Sequence, residues 1–183
     1  FKITFTDLKQ VSNIQKGDSI VLSYTAYLND NAAPKISNRG FENKVRVNFS
    51  NDPQNESKGQ SPWDCVVCYT YQLNGLKTNE KNVKLKGATF KVYRDAAMRD
   101  EVKMKKTDSG YVVTDGQSED IVSNENGEFE IYGLDQGTYY LKETKAPAGY
   151  KLPIHPDGSP VIYKIKVESD PIKNNFIVYV NDK

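Results

Sequence analysis

Apolar residues alternate with polar ones along most of this chain, and a period of two specifies strands rather than amphipathic helices. The alternation runs through Ser19 to Leu28, Lys44 to Phe49, Cys65 to Leu73, Ala88 to Tyr93, Phe129 to Tyr132, Thr138 to Glu143, Val161 to Val167 and Phe176 to Val180. These stretches are rich in Val, Ile, Tyr and Phe, the residues that suit a pleated surface. Turn-forming clusters such as Asp108-Ser109-Gly110, Asn124-Glu125-Asn126-Gly127 and Pro156-Asp157-Gly158 separate them. The one helical candidate, Arg94 to Met104, reads better as a loop or hairpin. Short strands punctuated this often predict an all-β chain of immunoglobulin-like β-sandwiches.

The chain has 183 residues, 37% of them hydrophobic, which suits two modest cores in tandem. From Trp63 to Thr78 one patterned region passes into the next with no Gly/Ser linker, and the division falls near Tyr71, giving domains 1–71 and 72–183. Enough strands for a full sandwich follow that point and too few precede it, so the first domain reads as incomplete. Phe1 to Phe5 already alternates, without an initiator Met, which suggests that upstream strands are missing. A strand shared between domains predicts a stiff, end-to-end joint.

Charge excludes several partners. Lys+Arg 25 against Asp+Glu 24 leaves a net charge of +1, so nothing calls for nucleic acid or an anionic membrane surface. Mean hydropathy is −0.68, and no run approaches the ~20 apolar residues of a spanning helix. Two Cys and one His are too few for the usual zinc ligand sets, and the Asp/Asn-rich loops lack the spacing of a calcium loop, so neither metal nor cofactor is expected. Cys65-Val66-Val67-Cys68 resembles a redox pair in spacing alone. On a strand, residues three apart point to opposite faces, so these thiols read as small buried hydrophobes. His155, between Pro153 and Pro156, reads as a loop residue.

The segment Gly137 to Tyr150, GTYYLKETKAPAGY, matches the pattern YxLxETxAPxGY at Tyr139, Leu141, Glu143, Thr144, Ala146, Pro147, Gly149 and Tyr150. It resembles the "E-box" of Gram-positive pilins and of the B-type repeats of collagen-binding surface proteins (Cna B type). Lys77 followed ten residues later by Gly87-Ala88-Thr89-Phe90, then Gly127 with Gly133-Leu134, then a final strand ending in Asn181, fall in that family's order. Upstream, Tyr24 to Ala32 and Phe41 to Pro53 are similar to the second half of the preceding domain in pilus backbone subunits. The sorting signal of the LPxTG type and the lysine-bearing pilin motif of that family are not found in this sequence.

The resemblance implies an isopeptide bond between Lys77 and Asn181, assisted by Glu143. The pleat agrees: Tyr71, Leu73, Gly75 and Lys77 share one face, Tyr139, Leu141 and Glu143 another, and Ile177, Tyr179 and Asn181 a third. Taken singly, Lys77 reads as an exposed strand lysine, Glu143 as a surface glutamate and Asn181 as a polar strand end. Shut among apolar side chains, an amine and a carboxyl are driven toward their neutral forms, a nucleophile and a proton donor. Gly75 stands where the pattern has a branched apolar residue, which predicts loose packing beside Lys77. In the first domain Asn43 occupies the position of an acceptor for a similar bond; a buried, unreacted Asn is the plainer alternative.

What the resemblance implies about function is structural: the shaft subunit of a surface pilus, extracellular and attached to the cell wall, polymerised by sortase onto neighbouring pilin subunits. Its chemistry would be limited to single-turnover self-crosslinking, so it would not be an enzyme. The alternative is an adhesin module that contacts host matrix or cells.

Overall fold

The computed structural model describes residues 2–7, 10–11, 13–25, 40–52, 54, 57–170 and 175–180, the last of these, from 169 on, as backbone. Thirteen strands and no helix make up the described residues. In the first part, β1 (Phe41–Val45) pairs antiparallel with β4 (Asp64–Cys68), and β2 (Asn48–Ser50) with β3 (Lys58–Gln60). The second part contains β5 (Tyr71–Leu76), β6 (Thr89–Tyr93), β7 (Met104–Thr107), β8 (Gly110–Val113), β9 (Ile121–Val122), β10 (Glu128–Leu134), β11 (Gly137–Lys145), β12 (Ile162–Asp170) and β13 (Asn175–Val180).

These nine strands form two sheets, one ordered β5-β10-β8-β7 and the other β13-β12-β11-β6-β9. All pairings are antiparallel except β8 with β10. Alternate residues face inward and meet in one core: Leu73 from β5, Phe129 and Ile131 from β10, Val92 from β6, Leu141 from β11 and Ile165 from β12. The result is an immunoglobulin-like sandwich, as the period of two predicts. Gly133, at φ 85°, sits where the β5–β10 register shifts, and the extra residue returns Leu134 to the core at 1% exposure.

Several expected elements differ. Residues 2–5 and 19–25 alternate as strands do, yet no described strand pairs with them, and they run as irregular, exposed chain; 26–28 lie outside the described residues. Alternation presents a face, but a strand also needs a neighbour for its N–H and C=O groups. The stretch Cys65 to Leu73 is two strands rather than one. The chain breaks at Tyr69 and Thr70, where it leaves the partner β1 and takes up the partner β10. Lys44 to Phe49 is likewise divided at Arg46 and Val47. Cys65 and Cys68 are free and exposed, not buried, because both faces of the two-stranded ribbon are open among the described residues.

Residues 94 to 100 form a loop. Asp95 organises it, its carboxylate accepting from the backbone N–H groups of Ala97, Arg99 and Asp100. These donors, that of Asp100 foremost, hold the Asp95 carboxyl below its ordinary value. A lowered value in the folded state means that the bonds stabilise the loop above the ordinary carboxyl range and lose that effect as pH falls through the lowered value. Asp95→Ala is therefore expected to speed amide exchange at Ala97, Arg99 and Asp100 at neutral pH. In the unaltered chain the same loss of protection is expected in strong acid; equal protection in both proteins at neutral pH would contradict this role.

Candidate functional site

β5 ends at Leu76, and the next residue, Lys77, is held by backbone bonds on both sides. Its N–H donates to Gly127 O at 2.7 Å, and its C=O accepts from Leu85 N at 2.9 Å. Gly127 has φ 72°, and a Cβ there would lie 2.6 Å from Lys77 O and 2.9 Å from Leu85 N. This is a position that only glycine fills without strain. The loop that follows is ordered by Asn79, whose Oδ1 accepts from Lys81 N and Val83 N.

Across the core, the E-box runs through β11 and past its end. Tyr139, Leu141 and Glu143 face inward at 6%, 8% and 4% exposure. The polar residues of the motif each have a partner. Tyr139 OH donates to Asp135 O, Thr144 Oγ1 to Thr89 O, and Tyr150 OH accepts from Asn79 Nδ2 at 3.1 Å. Burial, with the charge of Asp135, pushes the Tyr139 phenol above its ordinary value. Thus the beginning and end of the motif are tied down, and Tyr150 links it to the loop after Lys77.

Lys77 Nζ donates to Glu143 Oε2 at 2.7 Å, joining the two sheets through the core. The Glu143 side chain is 1% exposed and that of Lys77 is 18%. Glu143 Oε1 is buried, and no hydrogen-bond partner reaches it among the described residues. A buried oxygen without a partner is uncommon and calls for a physical reason. Beside the pair lies a cavity of about 310 Å³, bounded by β5 on one sheet and by β11 and β12 on the other. Its walls include Phe90, Phe129, Tyr163 and Ile165.

Two of the three residues named from the sequence are therefore in contact. Asn181 lies outside the described residues, and the pairing of β13 speaks only to its approach. Val180 stands opposite Ile165 and Tyr179 opposite Lys166. Positions 178 and 180, rather than 177 and 179, thus face the buried Val167 and Ile165, one residue out of step with the parity read from the sequence. Asn43 is exposed on β1, opposite Val66, and donates through Nδ2 to Tyr24 OH at 2.6 Å. It shares a ribbon face with Phe41 and Val45.

Packing beside Lys77 is not loose. Phe129, directly opposite Gly75 in the β5–β10 pairing, lays its ring over Gly75, so close that a Cβ there would be 2.0 Å from Phe129 Cζ. Phe129 and Gly127 belong to the site, and the sequence alone marked neither role; the first depends on which residue meets Gly75 across the strands. Among the described residues no group of three His, Cys, Asp or Glu is placed to hold a metal, and no helix is long and apolar enough to cross a membrane.

Gly127→Ala is expected to lower the free energy of unfolding by about 1–3 kcal/mol, the cost of a strained backbone position. Urea unfolding followed by circular dichroism measures this, and an unchanged midpoint would contradict the close fit of Gly127 against Lys77.

The family described as "SpaA: Prealbumin-like fold domain" matches residues 71–176, more than half of the chain. No match is found among curated proteins. Of the solved structures, the T6 backbone pilin of serotype M6 Streptococcus pyogenes is 22% identical with a TM-score of 0.53, covering 85% of this chain and 36% of its own. The full-length major pilin SpaD from Corynebacterium diphtheriae is 29% identical with a TM-score of 0.46, covering 67% of this chain and 31% of its own. The chain thus spans about a third of the length of either pilin.

Proposed function

We propose a function from one premise: the chain belongs to the family of SpaA prealbumin-like fold domains. It is a structural subunit of a Gram-positive surface pilus, or part of one, joined head to tail to neighbouring pilin subunits by sortase and displayed outside the cell. Residues 72–183 form a B-type domain closed by an isopeptide bond between Lys77 and Asn181. Residues 1–71 belong to a preceding immunoglobulin-like domain.

The observation that carries the bond is the buried contact of Lys77 Nζ with Glu143 Oε2, with Glu143 Oε1 left unpartnered among the described residues. A third polar group is what that oxygen lacks, and the Asn181 amide supplies it. The neutral Lys77 amine attacks Asn181 Cγ while protonated Glu143 donates to the amide oxygen. A new C–N bond forms, the old one breaks, and the departing nitrogen leaves as ammonia after Glu143 has relayed a proton from the lysine nitrogen to it. No cofactor takes part. Proximity supplies the rate, since groups held in a folded core react as if highly concentrated. The bond also requires β13 to settle one residue along from the pairing described above, bringing position 181 to the face of Ile165 and Val167. Such a slip exchanges the two faces of the whole strand.

The bond would join the first strand of the sandwich to the last. By analogy with a disulfide, closing a loop of about a hundred residues removes ~4.7 kcal/mol of denatured-state entropy. Tension along the fibre would pass through the bond without peeling apart the strands between, so the gain is chiefly kinetic. Asn43 is assigned as acceptor of a similar bond in the first domain, with a partner that approaches the face it shares with Phe41 and Val45. An adhesin module is the second reading. Its supporting observation is Trp63, 56% exposed with the Arg46 guanidinium 4.5 Å from the ring centroid.

The intact mass tests the bond. Wild type is expected to weigh one ammonia less than its sequence, and Lys77→Ala, Glu143→Ala and Asn181→Ala each to have its full sequence mass and to be digested faster by proteases. A wild-type protein at its full sequence mass would overturn the proposal.

A further inference from the structure

Phe129 and Gly75 form a size-matched pair that neither the E-box nor the bond accounts for. They stand directly opposite each other on β10 and β5, and the Phe129 ring occupies the space in which any side chain at position 75 would lie. On its other side the ring meets Phe90, centroid to centroid 4.7 Å at a tilt of 32°. Phe90 is in turn directly opposite Glu143 in the β6–β11 pairing. A continuous row therefore crosses the sandwich, from Gly75 through Phe129 and Phe90 to Glu143. Lys77 lies two residues beyond Gly75 on the same face, and all five residues line the same cavity.

We propose that Phe129, seated on Gly75, is a positioning residue that shuts water away from the Lys77–Glu143 pair and so sets the rate of cross-linking. The inference rests on the isopeptide reading and deepens it. Phe129 touches no reacting atom in this role. It acts through the environment of Lys77, because an ammonium that water can reach is solvated, keeps its proton to higher pH and is no nucleophile. The small residue at position 75 is then a requirement of the site. A branched side chain there would expel the ring from the row.

The titratable groups lining the cavity are Lys77 from the end of β5, Glu143 from β11 and Tyr163 from β12. A change in water access at Phe129 is therefore read through these groups. The full chain, recovered unfolded and unreacted from inclusion bodies, is refolded by dilution over a range of pH, and the loss of ammonia is followed by intact mass. Phe129→Ala is expected to slow that loss at neutral pH at least tenfold and to move the midpoint of the pH–rate profile to higher pH. Gly75→Leu combined with Phe129→Ala, which returns apolar volume from the opposite strand, is expected to recover part of the rate and to move the midpoint back. Circular dichroism establishes that each variant has folded.

If Phe129→Ala folds and reacts with wild-type rate and midpoint, the inference is overturned while the bond stands. A slower rate with an unmoved midpoint, or failure of the double variant to move it back, also overturns it, since lost packing alone would produce that. If Phe129→Ala does not fold, the double variant decides: a wild-type midpoint there supports the inference, and a raised one overturns it. A wild-type chain that never loses ammonia removes the bond itself, a different failure.

Discussion

A lysine and a glutamate meeting inside an apolar core is the contact on which the remainder of this molecule turns. Placing charge or its precursors there is costly, and the cost is contained only when each polar atom finds a partner. Lys77 and Glu143 satisfy each other through one oxygen. The other oxygen stays unmatched among the described residues. Much of the surrounding sandwich serves to hold these two groups. Gly127 accepts the Lys77 backbone N–H, Tyr150 ties the E-box to the loop beyond it, and Phe129 fills the space above Gly75.

Sheet order gives this contact its leverage. β5 is an edge strand of the four-stranded sheet and β13 an edge strand of the five-stranded one. Edge strands are bonded on one side only and are the first to separate when a sheet is strained. A covalent link from the end of β5 to the end of β13 would fasten both sheets where they are weakest. The first part of the chain shows the opposite condition. Its two-stranded ribbons leave Val45, Val66, Phe49 and Trp63 exposed, and isolated pairs of strands are marginal by themselves.

Much of the second part was legible in the sequence because alternation and burial agree there. Leu73, Phe129, Ile131, Tyr139, Leu141, Ile165 and Val167 lie inward on the parity that the pattern predicts, and Glu143 follows them into the core. The hairpin of β7 and β8 and the short β9 escaped notice, their lysine-rich and very short stretches carrying little alternation. Strands were overread at residues 2–5 and 19–25, where a pattern exists without a paired neighbour. The thiols were misjudged for a related reason: spacing places Cys65 and Cys68 on opposite faces but does not say whether either face is covered. Packing beside Gly75 depends on a residue more than fifty positions away, which no local pattern reveals.

The most direct measurement is peptide mapping of the folded wild-type chain by tandem mass spectrometry. If the core contact of Lys77 and Glu143 exists to join Lys77 to Asn181, proteolysis yields one branched species. Its fragments read outward in both directions from an amide between those two side chains. Recovery of the Lys77 and Asn181 peptides as two separate linear species, each at its full mass, would contradict that claim.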